Sequence, residues 1–147
     1  MDNALEEKII RSFANKIFQG RLLFELTSPK RRTTFIQKMC HGYDNYLKNS
    51  CILQRSKTNP AFSELQQMMV THDAAKKFYV LSLNDGMDGV YVDLEPAVEK
   101  LSSNGFASFI VGLPSGFTHF KGESYASYQP NFYLKPYIRF DGKPWAI

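Results

Sequence analysis

Leu5, Ile9, Phe13 and Ile17 recur every four residues, and Ile10 and Phe18 widen the stripe. This spacing predicts an amphipathic helix over residues 3–18. Asn3 suits its N-cap, with Glu6 completing a near capping box, and Gly20 suits its stop. Arg21 to Thr27 holds good helix formers and reads as a second short helix. Ser28-Pro29 is a helix start, a capping side chain followed by proline at the first helical position. That helix is expected to run to about Lys48, with Phe35, Ile36, Met39, Tyr43, Tyr46 and Leu47 inward. Asn59-Pro60 begins another by the same logic, ending near His72, with Phe62, Leu65 and Met69 inward and Met68 at the margin.

Strands follow. Lys77 to Leu83 and Val90 to Leu94 read as two, joined by the turn-rich run Asn84 to Gly89. Leu94-Glu95-Pro96 opens a short helix that buries Val98 and Leu101 and stops at Asn104-Gly105. Phe106 to Leu113 and Phe117 to Lys121 are strands around a Pro114-Ser115-Gly116 turn. A polar, Tyr-rich loop spans Gly122 to Gln129, and Phe132 to Lys135 is a last strand, interrupted by Pro136. The state of 137–147 is left open. The expected fold class is α+β, with N-terminal helices packed on a small, mostly antiparallel C-terminal β-sheet. One domain is expected, with a helical part (1–72), a sheet with one short helix (77–135) and a tail (136–147).

Composition narrows the class. The chain has 147 residues, 44% hydrophobic and 22% charged, with 12 Phe and 8 Tyr. That is an ordinary globular composition and too aromatic for a disordered chain. No run approaches the roughly 20 apolar residues that span a bilayer. Glu6, Glu7, Lys8, Arg11 and Lys16 interrupt any secretory apolar region, so a cytoplasmic location is expected. There, Cys40 and Cys51 are expected as buried free thiols.

Charge is uneven. Residues 1–60 hold 11 Lys and Arg against 5 Asp and Glu, whereas 61–147 hold 7 against 9. Lys30, Arg31 and Arg32 stand at a predicted helix start, where the helix dipole disfavours cations. They make an anion-binding candidate, which Arg21 and Lys38 extend. The alternative is neutralisation by Glu6, Glu7 or Glu25, or a solvated face.

Cys40-His41-Gly42-Tyr43-Asp44 invites a catalytic reading. Helical neighbours point about 100° apart, so Cys40 and His41 do not pair with each other. His41 and Asp44, three apart, can touch, and Cys40 needs His72 or His119 brought in by the fold. The blander alternative is a buried thiol beside a hydrogen-bonded imidazole. Cysteine and histidine spacings match no zinc motif, Asp85 to Gly89 lacks the pattern of a calcium loop, and no phosphate loop or dinucleotide fingerprint occurs. No cofactor is therefore expected. Gly112 to Gly116 has the wrong spacing for a hydrolase elbow and reads as a hairpin turn.

Tyr125, Tyr128, Tyr133, Tyr137 and Trp145 form a partner-binding candidate, since tyrosine and tryptophan offer rigid amphipathic area. The alternative is that half of them cover the sheet.

Several segments carry a resemblance. Ser28-Pro29-Lys30-Arg31-Arg32, the helical His41, the strand and helix Val90 to Leu101, Ile110-Val111-Gly112-Leu113-Pro114-Ser115-Gly116 and Phe120-Lys121-Gly122-Glu123 together resemble a family of small bacterial single-domain α+β proteins. The likeness spans roughly residues 10–135. It implies the fold and no activity. The leading expectation is a non-enzymatic protein-binding module, immunity- or antitoxin-like or regulatory. Nucleic-acid or polyanion binding through 21–57, and a small enzyme using His41 and Asp44, are the alternatives.

Overall fold

A computed structural model describes residues 1–84, 86–103, 107–123 and 129–146, with backbone alone for Ser102 and Ser103. Helix α1 is Asn3–Phe13. Its cap is Asp2 rather than Asn3, because the Asp2 carboxylate accepts the Leu5 N–H at 3.0 Å. The helix stops short of Ile17 and Phe18 although the apolar period continues. Ala14 is drawn into an antiparallel bridge with Leu47. Asn15 N–H donates to the Tyr46 carbonyl at 2.7 Å, and Lys48 N–H to the Phe13 carbonyl at 2.8 Å. These tertiary bonds pull the backbone out of the helix and leave Ile17 85% exposed. Gly20 lies inside the next helix, α2 (Gln19–Thr27), and not at a helix end.

Ser28-Pro29 does not start a helix. It forms a turn in which Arg31 N–H donates to the Ser28 carbonyl at 2.9 Å. Helix α3 is Arg32–His41, and Gly42 separates it from the single turn α4 (Tyr43–Tyr46). Phe35, Ile36 and Met39 are buried as expected. Strand β1 (Ile52–Ser56) follows, in a stretch where no strand was expected. Helix α5 (Phe62–Thr71) begins just after Asn59-Pro60 and buries Leu65 and Met69.

The other expected strands form: β2 (Lys77–Ser82), β3 (Val90–Val92), β4 (Ser108–Leu113), β5 (Thr118–Lys121) and β6 (Asn131–Leu134), with α6 (Leu94–Ser103) between β3 and β4. The expected stop of α6 at Asn104-Gly105 lies outside the described residues. The six strands make one sheet in the order β1-β6-β5-β4-β2-β3, each neighbour antiparallel. The fold is thus α+β, with the N-terminal strand β1 added at one edge.

Alternation along each strand divides the sheet into two buried faces. Tyr79, Leu81, Phe109, Val111, Phe120, Phe132 and Leu134 meet α1, α2 and α3 in one core. Phe78, Val80, Ile110, Phe117 and Tyr133 meet α5 and α6 in a second. Gly112 lets β4 pass close to the chain beyond α5: a Cβ there would lie 2.4 Å from the Ala74 carbonyl oxygen.

The C-terminal segment is docked. Phe140 packs on the first core beside Phe13, and its N–H donates to the Ser115 carbonyl at 2.9 Å. Trp145 joins the second core, with Nε1 donating to the Pro136 carbonyl at 3.0 Å. Gly116, at φ +90°, faces the Phe140 ring, which a Cβ would approach to 2.5 Å.

Candidate functional site

The five cations of the expected anion site are dispersed. Arg32 is buried, and its guanidinium donates to both Glu6 oxygens at 2.7 and 2.6 Å. Its Nε donates to Asp88 at 2.6 Å. Burial disfavours the charge, but these carboxylates outweigh it and hold Arg32 firmly protonated. Arg21 and Lys38 both donate to Glu25 Oε1, at 2.9 and 2.6 Å. Burial works to raise the Glu25 carboxyl, yet those two donors hold it below its usual range. Lys30 and Arg31 remain exposed, Arg31 lying 5.7 Å from the Phe24 ring centre. The turn at Ser28-Pro29 sends Arg32 inward while its neighbours face solvent, so the three adjacent cations do not converge.

His41 Nε2 lies 3.0 Å from Glu123 Oε2, which the sequence did not suggest as its partner. Cys40 is fully buried, and burial pushes its thiol far above the ordinary range. A thiol held neutral and away from solvent is no nucleophile. Cys51 is also buried and free, its Sγ donating to the Ser12 carbonyl at 3.1 Å. Among the described residues, no group of three or more His, Cys, Asp or Glu is placed to hold a metal ion.

Of the aromatic candidates, Tyr125 and Tyr128 lie outside the described residues. Tyr133 is buried in β6. Trp145 is half-buried, with Lys135 Nζ 4.6 Å and Arg139 Cζ 5.4 Å from its ring centre. Tyr137 alone of the described three projects outward, 92% exposed, beside Ile138 at 69%. These two line a groove of about 1000 Å³ between α1 and the segment Tyr137 to Gly142. Lys8 and Lys48 also line it. Lys8 donates to the Phe140 carbonyl and Lys48 to the Arg11 carbonyl, each at 3.0 Å. Neither lysine has a carboxylate partner among the described residues.

A second feature lies under α5, on the other face of the sheet. Register aligns Ser56, Asn131, Lys121, Ser108 and Ser82 into one polar file across five strands. His119 and Tyr133 pair across strands beside it. Lys121 is 4% exposed and forms no ion pair among the described residues. Burial pulls its amine below the usual lysine range. His119 is 6% exposed, and burial lowers its imidazole to about 4. Its Nδ1 and the Tyr133 hydroxyl have no hydrogen-bond partner.

No family model, curated protein or solved structure matches the chain.

Sequence reasoning missed both as sites. His119 and Lys121 alternate with Thr118 and Phe120 in a segment legible as a strand, so their shared face was readable. That this face would be buried, and that Asn131 and Ser108 would flank Lys121, depended on strand order. The groove was foreshadowed only by Tyr137. Its other wall is α1, far away in sequence.

Proposed function

We propose that the protein is a non-enzymatic protein-binding module whose docking surface is the groove between α1 and Tyr137 to Gly142. The carrying observation is the combination at that groove. Its lining is mainly apolar, its rim holds the exposed Tyr137 and Ile138, and two lysine ammonium groups meet only backbone carbonyls. The exposed Tyr137 ring offers the rigid, amphipathic anchor that protein interfaces favour. The uncompensated charges of Lys8 and Lys48 favour a segment that brings apolar side chains together with acidic ones.

Other readings have less support. Polyanion binding through 21–57 loses Arg21, Arg32 and Lys38 to Glu25, Glu6 and Asp88. The catalytic reading of Cys40 meets a neutral, buried thiol. A cytoplasmic setting and an immunity-like or regulatory role belong to this proposal. Two buried free thiols agree with the setting, and no described helix is long and apolar enough to cross a membrane.

A tagged pull-down from source lysate, with and without nuclease, tests it. The expected result is one stoichiometric protein retained in both halves. Tyr137→Ala, or Lys8→Glu with Lys48→Glu, should weaken its affinity by about tenfold or more. Retention that ignores both variants, or nucleic acid alone, overturns the proposal.

A further inference from the structure

Beneath α5, on the sheet face opposite α1, a cavity of about 80 Å³ is lined by His119, Asn131, Tyr133, Gln54 and Glu64, among others. Liquid water occupies about 30 Å³ per molecule, so the space holds about three non-hydrogen atoms. Its hydrogen-bonding character follows from one chain of contacts. Asn131 Nδ2 donates to the Gln129 carbonyl at 3.0 Å, which fixes the amide so that its Oδ1 faces His119. A carbonyl accepts only, so His119 Nε2, at 3.0 Å from Oδ1, carries the proton. The ring is neutral at physiological pH. Nδ1 is therefore a bare lone pair, and no protein group meets it.

Tyr133 adds a second unpartnered atom. Its hydroxyl oxygen is buried without a hydrogen bond, and its ring centre lies 5.5 Å from that of His119. Glu64, exposed on the first turn of α5, brings a carboxylate to the same lining. Leaving buried polar atoms unmatched is unfavourable, and such atoms in native proteins call for a partner. The His119 lone pair accepts only, the Tyr133 hydroxyl can accept or donate, and the Glu64 carboxylate stands on the same lining. Lys121 is the opposing charge. It lines the smaller neighbouring cavity of about 20 Å³, on whose wall His119 also stands.

We propose that this cavity binds the primary ammonium group of a small amine, with His119 Nδ1, Tyr133 Oη and the Glu64 carboxylate as its acceptors. An ammonium group has three donors and no acceptor, which suits a lining that offers an imidazole lone pair, a hydroxyl able to accept and a carboxylate. The cavity seats the ammonium head and about two carbons of its stem, and the head arrives on a free small molecule. A ligand ending in a carboxylate is excluded from this position by Glu64 and the Nδ1 lone pair. The site is separate from the α1 groove, so its fate does not depend on the protein-binding reading.

The test uses the intact, uniformly ¹⁵N-labelled protein, with the His119 side-chain nitrogens as reporters. Ethylammonium chloride, an acetyl-lysine amide peptide with a free ε-ammonium, tetramethylammonium chloride and sodium acetate are titrated separately. Ethylammonium is expected to move the His119 Nδ1 resonance saturably. A probe of three non-hydrogen atoms reaches a dissociation constant of about 1 mM at the tightest. Tetramethylammonium, with no N–H, is expected to leave the resonance in place, as is acetate. Glu64→Gln changes an exposed side chain and is expected to weaken ethylammonium binding by about tenfold while the melting temperature holds. Tyr133→Phe removes one acceptor and keeps the ring.

Movement by acetate alone would mean an anion site at Lys121 and overturns the proposal. So does a resonance that no probe moves, which would mean a merely hydrated cavity. Ethylammonium binding unaffected by both variants also overturns it. If the lysine peptide competes as well as ethylammonium, a protein side chain is the ligand and the small-molecule assignment fails.

Discussion

The Arg32 guanidinium and the Glu6 carboxylate face each other as a buried fork-to-fork pair, with N–O distances of 2.7 and 2.6 Å. Tyr79 donates its hydroxyl to the same carboxylate at 2.6 Å, and Asp88 takes the remaining side of the guanidinium. This network ties α1, α3, β2 and the β2–β3 connection together through charge. Removing one member strands the others in a dry site.

Arg32→Met is expected to destabilise the fold by about 3–5 kcal/mol, because Glu6 is then an unpaired buried charge. Adding Glu6→Gln should recover part of the loss, so the double variant costs less than the two singles combined. Urea unfolding of the four proteins measures this. Equal, additive losses would refute the coupling.

His119 predicts a pH dependence. Its folded value of about 4 lies below the ordinary 6.5, chiefly through burial. Above about pH 6.5 neither state binds the proton. Between there and about pH 4 the unfolded chain takes it up and the folded chain does not, so stability falls as pH drops. The full span is worth roughly 3 kcal/mol. Unfolding free energies at pH 7.5 and 4.5 should differ less in His119→Gln than in the parent, by an amount of this order. A slope unchanged by the substitution would place the titration elsewhere.

Gly112→Ala is expected to cost about 1–3 kcal/mol, since the new methyl meets the Ala74 backbone at 2.4 Å and backbone does not yield as a flexible side chain does. Thermal unfolding is the readout. Gly20→Ala, at the second position of α2 where a Cβ meets nothing within 4 Å, is the contrast and should be neutral or stabilising.

Cys40 should be inert towards a thiol reagent in the folded state. In a Cys51→Ser background, labelling is expected only after denaturant is added, because burial withholds both access and thiolate. Rapid labelling of the native variant would reopen the nucleophile reading.

Much of the fold was readable from local pattern. The four-residue step from Leu5 to Phe13 marked α1, and the flanking punctuation marked α5, α6 and strands β2 to β6. These elements are legible because a half-buried element must repeat its apolar positions at its own period. Strand β1 escaped for the same reason. It sits at a sheet edge with Leu53, Gln54 and Arg55 all exposed, so nothing alternates.

Where elements end was settled by distant partners. Residues 14–18 have a helical pattern, yet the Ala14–Leu47 bridge competes with the helix and wins. Ser28-Pro29 has a helix-starting sequence, yet Arg32 turns inward to Glu6 and Asp88. In each case a long-range hydrogen bond or ion pair outweighs a local preference worth less.

The sequence by itself determined the α+β class, the order of the elements other than β1, and the supply of polar residues within apolar segments. Tertiary structure alone decided what those residues became. Lys30, Arg31 and Arg32 are adjacent in the chain but separated by burial. His119, Lys121, Asn131 and Ser108 are scattered in the chain but joined by the antiparallel register of β4, β5 and β6. Local pattern reports which face a side chain takes. It carries no information about which strand lies next to it, and that neighbour sets whether a buried polar atom is satisfied or left to meet a ligand.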